Sequence, residues 1–303
     1  MLQFDSITKV FKSDLMTQPF VALDDVTFSV PEGSMVGFLG ANGAGKTTSL
    51  KIIMDFIRPD KGSVHFSDSL GQERMRVFRN LGFLPERPYF YPNLTGFEFL
   101  NYMGTLSELS RSQIKSATKK WAERFRIDHA LERPLRTYSK GMLQRIGFLS
   151  TILHSPKLIL LDEPLSGLDP IGRKELKDVI IEVHKEGKTV FFSSHIVPDI
   201  EEICDRVVFL QNGKLVYDGS VNDILKSNTG SDYLVKVDKI QSIQLETTTK
   251  NIMRLPGDLD VITVHEEHKN RLISELIAKS ANIIGIEVVK PSLEEIFYHI
   301  KAR

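Results

Sequence analysis

The sequence predicts an α/β fold with a parallel sheet, followed by a second, smaller α/β domain. Three observations carry this. Residues 35–39 form an apolar, strand-length run that leads into Gly40-Ala41-Asn42-Gly43-Ala44-Gly45-Lys46-Thr47-Thr48, and Leu50, Ile52 and Ile53 then recur as at the start of a helix. Residues 156–163 and 188–193 are two further apolar runs, separated by a helical pattern from 172 to about 186, which is the βαβ signature of a parallel sheet. Finally, the polar stretch Asn228-Thr229-Gly230-Ser231 divides residues 1–227 from 228–303.

Residues 1 to about 66 read as strands around the glycine-rich loop. Residues 23–30 alternate with period two, as an antiparallel strand with one wet face should, and Pro31-Glu32-Gly33 is a turn. From about 95 to 155 the pattern is helical. Phe97, Leu100 and Met103 recur at helical spacing, as do Ile114, Ala117, Trp121 and Phe125, with a start expected near Ser112 and Gln113. Residues 206–210 and 214–217 flank Gln211-Asn212-Gly213, a hairpin signal, and residues 222–226 read as a short helix. In the smaller domain, 234–237, 261–264 and 283–289 read as strands. Residues 269–281 read as a helix with Leu272, Ile273, Leu276 and Ile277 on one face. A closing helix over 292–300 is capped by Ser292, with Glu295 three residues on.

Bulk properties narrow the function. A chain of 303 residues suggests about two domains. Lys+Arg and Asp+Glu are both 39, so there is no basic excess of the kind a nucleic-acid binder carries. The single cysteine, Cys204, excludes a disulfide framework and a cysteine metal site and suits a reducing, cytoplasmic setting. The start, Met1-Leu2-Gln3-Phe4-Asp5, does not read as a signal peptide, and no apolar run approaches the ~20 residues that span a bilayer.

The glycine-rich segment is a phosphate cradle. Its glycines let the N–H groups of residues such as Asn42, Gly43, Ala44 and Gly45 turn inward, and the helix start at Lys46, Thr47 and Thr48 adds further donors. Lys46 can reach β- and γ-phosphates, and the Thr47 hydroxyl can ligate Mg²⁺. Residues 157–163, Lys-Leu-Ile-Leu-Leu-Asp-Glu, end a buried strand in two carboxylates. Asp162 can hold Mg²⁺, and Glu163 can polarise a water toward the γ-phosphate.

Residues 138–145, Tyr-Ser-Lys-Gly-Met-Leu-Gln-Arg, open a helix just before these carboxylates. Here the chain resembles the ATP-binding-cassette ATPases, matching their signature at Ser139 and Gly141 and departing from it at Tyr138, Lys140 and Met142 in the manner of the branch that drives ABC-2-type exporters. The resemblance covers residues 1 to about 225. It implies a P-loop core of mixed sheet, antiparallel β-subdomain and helical subdomain, with a small C-terminal α/β domain whose Pro-Ser-Leu-Glu-Glu-Ile-Phe ending at 291–297 is similar to that of exporter subunits.

Residue by residue, the resemblance implies that Ser139 and Gly141 grip the γ-phosphate held by an opposite subunit. Ser166-Gly167-Leu168-Asp169 resembles the loop at the dimer seam, and His195 the switch histidine that donates to the γ-phosphate. Phe11 resembles the aromatic that stacks on adenine, with Phe20 as a competitor because the loop over 12–19 is long. Glu86 stands where the family usually has a glutamine that ligates Mg²⁺ and senses the transporter, and the aromatic stretch 87–92 resembles a groove for a coupling helix.

The expectation is therefore an ATPase that uses ATP and Mg²⁺, at the cytoplasmic face of the inner membrane. It would act as a homodimer or heterodimer on integral membrane permease subunits, with no nucleic-acid partner. A chromosome or repair ATPase would carry heptad arms or cysteine-rich modules, and a translation-factor type would carry two phosphate loops; neither feature is present. A non-transport ATPase regulating a soluble complex is the alternative.

Overall fold

The computed structural model describes residues 1–12, 19–227, 231–238, 245–255, 259–289 and 291–301. The chain divides into two compact units, Met1–Val221 and Asn222–Arg303. The first three residues of the expected linker, 228–230, lie outside the described residues, as do 13–18 of the long loop.

In the larger unit, β1 (Leu2–Phe11) and β2 (Phe20–Val30) form an antiparallel pair. β3 (Met35–Leu39) is buried throughout and feeds α1 (Lys46–Ile53); β4 (Lys61–Phe66) then returns to pair with β1. After α2 (Arg74–Arg79) and β5 (Leu81–Leu84) comes the helical region: α3 (Gly96–Leu106), α4 (Arg111–Arg124) and α5 (Lys140–Ile152). β6 (Leu158–Leu161), α6 (Pro170–Lys185) and β7 (Thr189–Ser194) make the expected βαβ unit. α7 (Val197–Ile203), β8 (Arg206–Gln211) and β9 (Lys214–Ser220) follow, and α8 (Val221–Ser227) begins at the last residue of this unit and runs into the second.

The element boundaries follow capping chemistry more closely than apolar spacing. α4 starts at Arg111, ahead of the expected start, because Ser110 and Gln113 form a reciprocal capping box. α6 starts at Pro170, before the expected 172, because the Asp169 side chain accepts from Gly172 N and a proline suits the first helical position. On α3 the buried positions are Gly96, Phe99, Leu100 and Gly104, whereas Phe97 is exposed. The β8–β9 hairpin turns on Asn212 and Gly213, both at positive φ (50° and 76°), as a two-residue type I′ turn requires.

Two sheets organise this unit. A mixed six-stranded sheet runs β5-β6-β7-β3-β8-β9, parallel except at β8–β9, and a three-stranded antiparallel sheet runs β2-β1-β4. A run of close phenylalanine pairs joins them: Phe4–Phe28 at 4.7 Å, Phe28–Phe191 at 5.6 Å and Phe38–Phe191 at 4.9 Å between ring centroids. Because β3, β6 and β7 are parallel, the loops at 40–45, 162–169 and 195 leave the same edge of the sheet, where open α/β sheets bind ligands.

The smaller unit carries β10 (Asp232–Asp238), β11 (Asn251–Leu255), β12 (Leu259–His265), α9 (Glu266–Ala278), β13 (Asn282–Val288) and α10 (Leu293–Lys301). Its antiparallel sheet runs β11-β12-β10-β13, with Val235, Val237, Ile262, Val264, Leu272 and Leu276 as its core. The sequence pattern predicts no strand at β11. This edge strand exposes both Ile252 and Met253, so it lacks the one-sided alternation that marks a half-buried strand. α9 begins at Glu266, not 269, with His265 as its cap, and Ile277 is exposed although it was expected on the buried face. Ser292 and Glu295 form the expected capping box ahead of α10.

Glu275 on α9 pins the segment before β11. Its carboxylate accepts from Glu246 N, from Thr247 N and Oγ1, and from Lys279 Nζ. These bonds, that from the Thr247 hydroxyl first, hold its pKa down from 4.5 to about 2. A carboxyl with a depressed folded pKa contributes stability that is complete above its unfolded pKa and is lost as pH falls toward its folded one. Amide exchange at Glu246 and Thr247 is therefore expected to accelerate as pH drops from 4.5 toward about 2, beyond the intrinsic pH effect. Glu275→Gln should abolish that pH dependence, and exchange that follows the intrinsic profile in the parent chain would remove this role.

Candidate functional site

The loop after β3 can take its course only with glycine at its turns. Gly43 and Gly45 lie at φ 82° and 109°. A Cβ on Gly45 would sit 2.7 Å from both Ala22 O and Leu23 Cδ2, and one on Gly40 would sit 2.7 Å from Leu210 O. α1 starts at Lys46 with no side-chain cap bond, so its first amides are free to serve as anion donors. A cavity of about 310 Å³ opens there. Asn42, Gly43, Gly45, Lys46, Thr47 and Thr48 line one side, and Glu86, Glu163, Ser166 and His195 line another. Ala44, in contrast, is buried beneath the loop.

The two carboxylates that end β6 diverge. Asp162 is buried; its Oδ1 accepts from Ser193 Oγ at 2.7 Å, and the Thr47 hydroxyl lies beside the same carboxylate. Burial pushes its carboxyl above the usual range, the Ser193 and Thr47 hydroxyls oppose this, and the negative charges of Glu163 and Glu86 add to the upward shift. Glu163 stands at φ 48°, a left-handed turn that sends its side chain into the cavity. Its Oε2 lies 2.9 Å from His195 Nδ1, and its Oε1 lies 3.2 Å from Lys46 Nζ. The Lys46 contact is an ion pair lacking hydrogen-bond geometry, so Oε1 is buried with no hydrogen-bond donor. Lys46 Nζ donates to Gly40 O at 2.7 Å.

Lys46, Thr47, Glu86, Glu163 and His195 thus line one cavity, with Asp162 beside Thr47 behind its wall. Phe11 does not line it. Its cross-strand partner Phe20 does, while Phe11 lies under Lys9, whose Nζ is 5.6 Å from the ring centroid. Ser139 and Gly141 are also absent from this cavity. Ser139 caps α5 by accepting from Met142 N, and Gly141 faces Leu168.

Two positioning groups went unremarked in the sequence. Ser193 Oγ accepts from Glu163 N at 2.8 Å while donating to Asp162, so one buried hydroxyl orients both carboxylate residues. Gln144 Nε2 donates to Pro164 O at 2.8 Å, tying α5 to the loop after Glu163. Ser193 carries no local signal, because its partners are 30 and 31 residues away in sequence.

The donor set suits a hard divalent cation: a hydroxyl at Thr47 and carboxylates at Asp162 and Glu86. Among the described residues no three His, Cys, Asp or Glu side chains form a metal cage. Phosphate oxygens and water would therefore have to complete the shell around such an ion, as is usual for Mg²⁺. No described helix is long and apolar enough to cross a membrane.

The family described as "ABC transporter" matches residues 23–166, and that described as "ATP-binding protein DrrA1-3-like, C-terminal domain" matches residues 219–300. An uncharacterised ABC transporter ATP-binding protein of Synechocystis is 34% identical over 96% of this chain and 82% of its own length. The linearmycin resistance ATP-binding protein LnrL of Bacillus subtilis is 26% identical over 100% of this chain and 99% of its own. A solved ATP-binding subunit of an ABC transporter is 30% identical, with a TM-score of 0.64 over 75% of this chain and 92% of that one.

Ser193→Ala would leave the Asp162 carboxylate and the Glu163 amide each short of a buried partner. The expected cost is about 1–3 kcal/mol, read from the urea midpoint. An unchanged midpoint would show that water replaces the hydroxyl without loss.

Proposed function

The chain belongs to the ABC transporter ATP-binding proteins and is the subunit that binds and hydrolyses ATP for transport; we propose that it works in a head-to-tail pair of ATPase subunits driving an ABC-2-type exporter. The observation that carries the site assignment is the convergence of Lys46, Glu163 and His195 on the cavity beside the Thr47–Asp162 pair.

In this reading the loop amides of residues 42–48 and Lys46 hold the β- and γ-phosphates. Glu163 takes the proton of the attacking water, and His195 orients the Glu163 carboxylate and donates to the γ-phosphate. Thr47, Asp162 and Glu86 would hold Mg²⁺, which would neutralise charge developing on the phosphates. An aromatic at the hairpin end stacks on adenine, and Phe20 is favoured over Phe11 because it lines the cavity. Ser139 and Gly141 serve the nucleotide of the opposite subunit. Their placement at the start of α5, away from their own cavity, supports this.

The partners proposed are integral membrane permease subunits and a second ATPase subunit, identical or related, with the pair held peripherally at the cytoplasmic face of the membrane. The zero net charge supports the absence of a nucleic-acid partner. Residues 228–303 form the accessory domain in this reading, supported by the DrrA-like match to 219–300. The resistance role in LnrL's name supports export as the direction.

Glu163→Gln keeps the shape of the side chain and removes its basicity. Turnover should fall by roughly 10²–10⁴-fold while ATP still binds, and a closed dimer should accumulate in size exclusion with Mg·ATP. Hydrolysis near the parent rate would take Glu163 out of the chemistry.

Glu86→Gln removes a negative charge from the cavity wall. The Mg²⁺ dependence of ATP binding should weaken, and basal hydrolysis should stay within about tenfold, or roughly 1.4 kcal/mol. Stimulation by membrane subunits should change more than the basal rate. The readouts are ATP affinity across a Mg²⁺ series and ATPase rate with and without the partner; no change in either would place Glu86 outside the mechanism.

A further inference from the structure

Outside the cavity, a cluster of ion pairs in the larger unit converges on α6. On one side, Glu175, Glu182 and Glu186 receive Arg126 and Arg145, Arg124, and Lys120 respectively. On the other, Arg173 and Lys177 engage Asp199 on α7, the helix that follows His195. α6 is thus pinned between the helical region and the element after the switch histidine.

The Glu175 end is the more specific. Its Oε2 accepts from Arg145 Nη2 at 2.6 Å and its Oε1 from Arg126 Nη1 at 2.6 Å. The same Arg145 guanidinium donates through Nη1 to Phe125 O, the carbonyl that ends α4. One guanidinium therefore joins α4, α5 and α6 in a half-buried setting, where screening is weaker than at the surface. Arg145 lies one turn after Gly141 on the same face of α5. That face meets the loop leading into α6: Gly141 looks onto Leu168, and a Cβ on Gly172 would sit 3.9 Å from Arg145 Nη2. The same loop contributes Ser166 to the cavity.

We propose that Glu175 is a positioning residue for ATP hydrolysis: clamped by Arg145 and Arg126, it sets the spacing between the start of α5, which carries Ser139 and Gly141, and the 166–169 loop. The proposal rests on the two-subunit reading, in which Ser139 and Gly141 act on the partner's nucleotide while Ser166 borders the chain's own. The clamp then makes the geometry of one half-site depend on the other. A planar, two-pronged guanidinium suits this, because it fixes direction as well as distance.

The test compares Glu175→Gln with the parent full-length chain. Affinity for a fluorescent ATP analogue should stay within about twofold, kcat should fall about tenfold or more, and the Hill coefficient for ATP should drop toward one. Glu175→Asp, which keeps the charge and can reach one arginine, should recover part of kcat. Arg126→Gln, which leaves the Arg145 pair intact, should lose less than Glu175→Gln. An unchanged kcat and Hill coefficient would overturn the proposal. So would a fall in kcat matched by an equal loss of analogue affinity and melting temperature, since that describes a bridge that only stabilises the fold. Lys46→Ala in the same assays judges the site reading separately: if it retains affinity and turnover, the cavity assignment fails whatever Glu175 does.

Discussion

Two carboxylates in sequence end a buried strand, and the site depends on how they are kept apart. Side by side in low dielectric, Asp162 and Glu163 would each raise the cost of ionising the other. The chain turns left-handed at Glu163 and so sends the two side chains to different partners, although the Glu163 charge still adds to the upward shift of the Asp162 carboxyl. Such a conformation costs a non-glycine residue of order 1–3 kcal/mol and persists where its surroundings enforce it. Ser193 Oγ, fixed by a neighbouring strand, bonds Glu163 N and Asp162 Oδ1 and so braces the turn. The result is a division of roles. Asp162 faces Thr47 and the sheet edge, and Glu163 faces Lys46 and His195 across the cavity.

That arrangement needs a rigid base. β3 and β7 pair in register from Met35↔Val190 to Leu39↔Ser194, and β6 pairs with β7 on the other side, so three loops are placed by adjacent buried strands. The phenylalanines of β1, β2, β3 and β7 pack the antiparallel sheet onto this one. Close packing leaves the glycine loop little freedom: Gly40 and Gly45 lie against backbone of β8 and β2, where a methyl group would collide. Lys46 is correspondingly buried, and its ammonium is held by loop carbonyls and by Glu163.

The helical region is attached differently. Its contacts with α6 include a series of ion pairs, which are directional, depend on ionic strength and can be rearranged at small cost compared with a packed core. Gln144, by donating to Pro164 O, adds a buried hydrogen bond between α5 and the loop that carries Glu163. Ion pairs and the Gln144 bond thus add direction to the buried apolar face of α5, which includes Ile146, Phe148, Leu149 and Ile152, in holding the helical region.

Much of this was legible in the sequence because its signals are local. The strand–glycine loop–helix order, the Asp-Glu ending of an apolar run, the hairpin at Asn212-Gly213 and the Ser292/Glu295 cap each involve residues within a few positions, and each stands in the structure. The sequence by itself therefore determined the class of fold, the order of the motifs and the edge of the sheet at which they meet. Other features were decided only by tertiary structure. Phe11 and Phe20 are equivalent as aromatics, and the register shifts along β1 and β2 mean that spacing does not tell which one reaches the cavity. On α9 Leu272 and Leu276 are buried while the adjacent Ile277 is exposed, a distinction that apolar spacing alone does not make. Ser193, Gln144 and Glu175 act through partners 20 to 49 residues away, and a contact of that kind is set by how strands and helices stack, which periodicity does not encode.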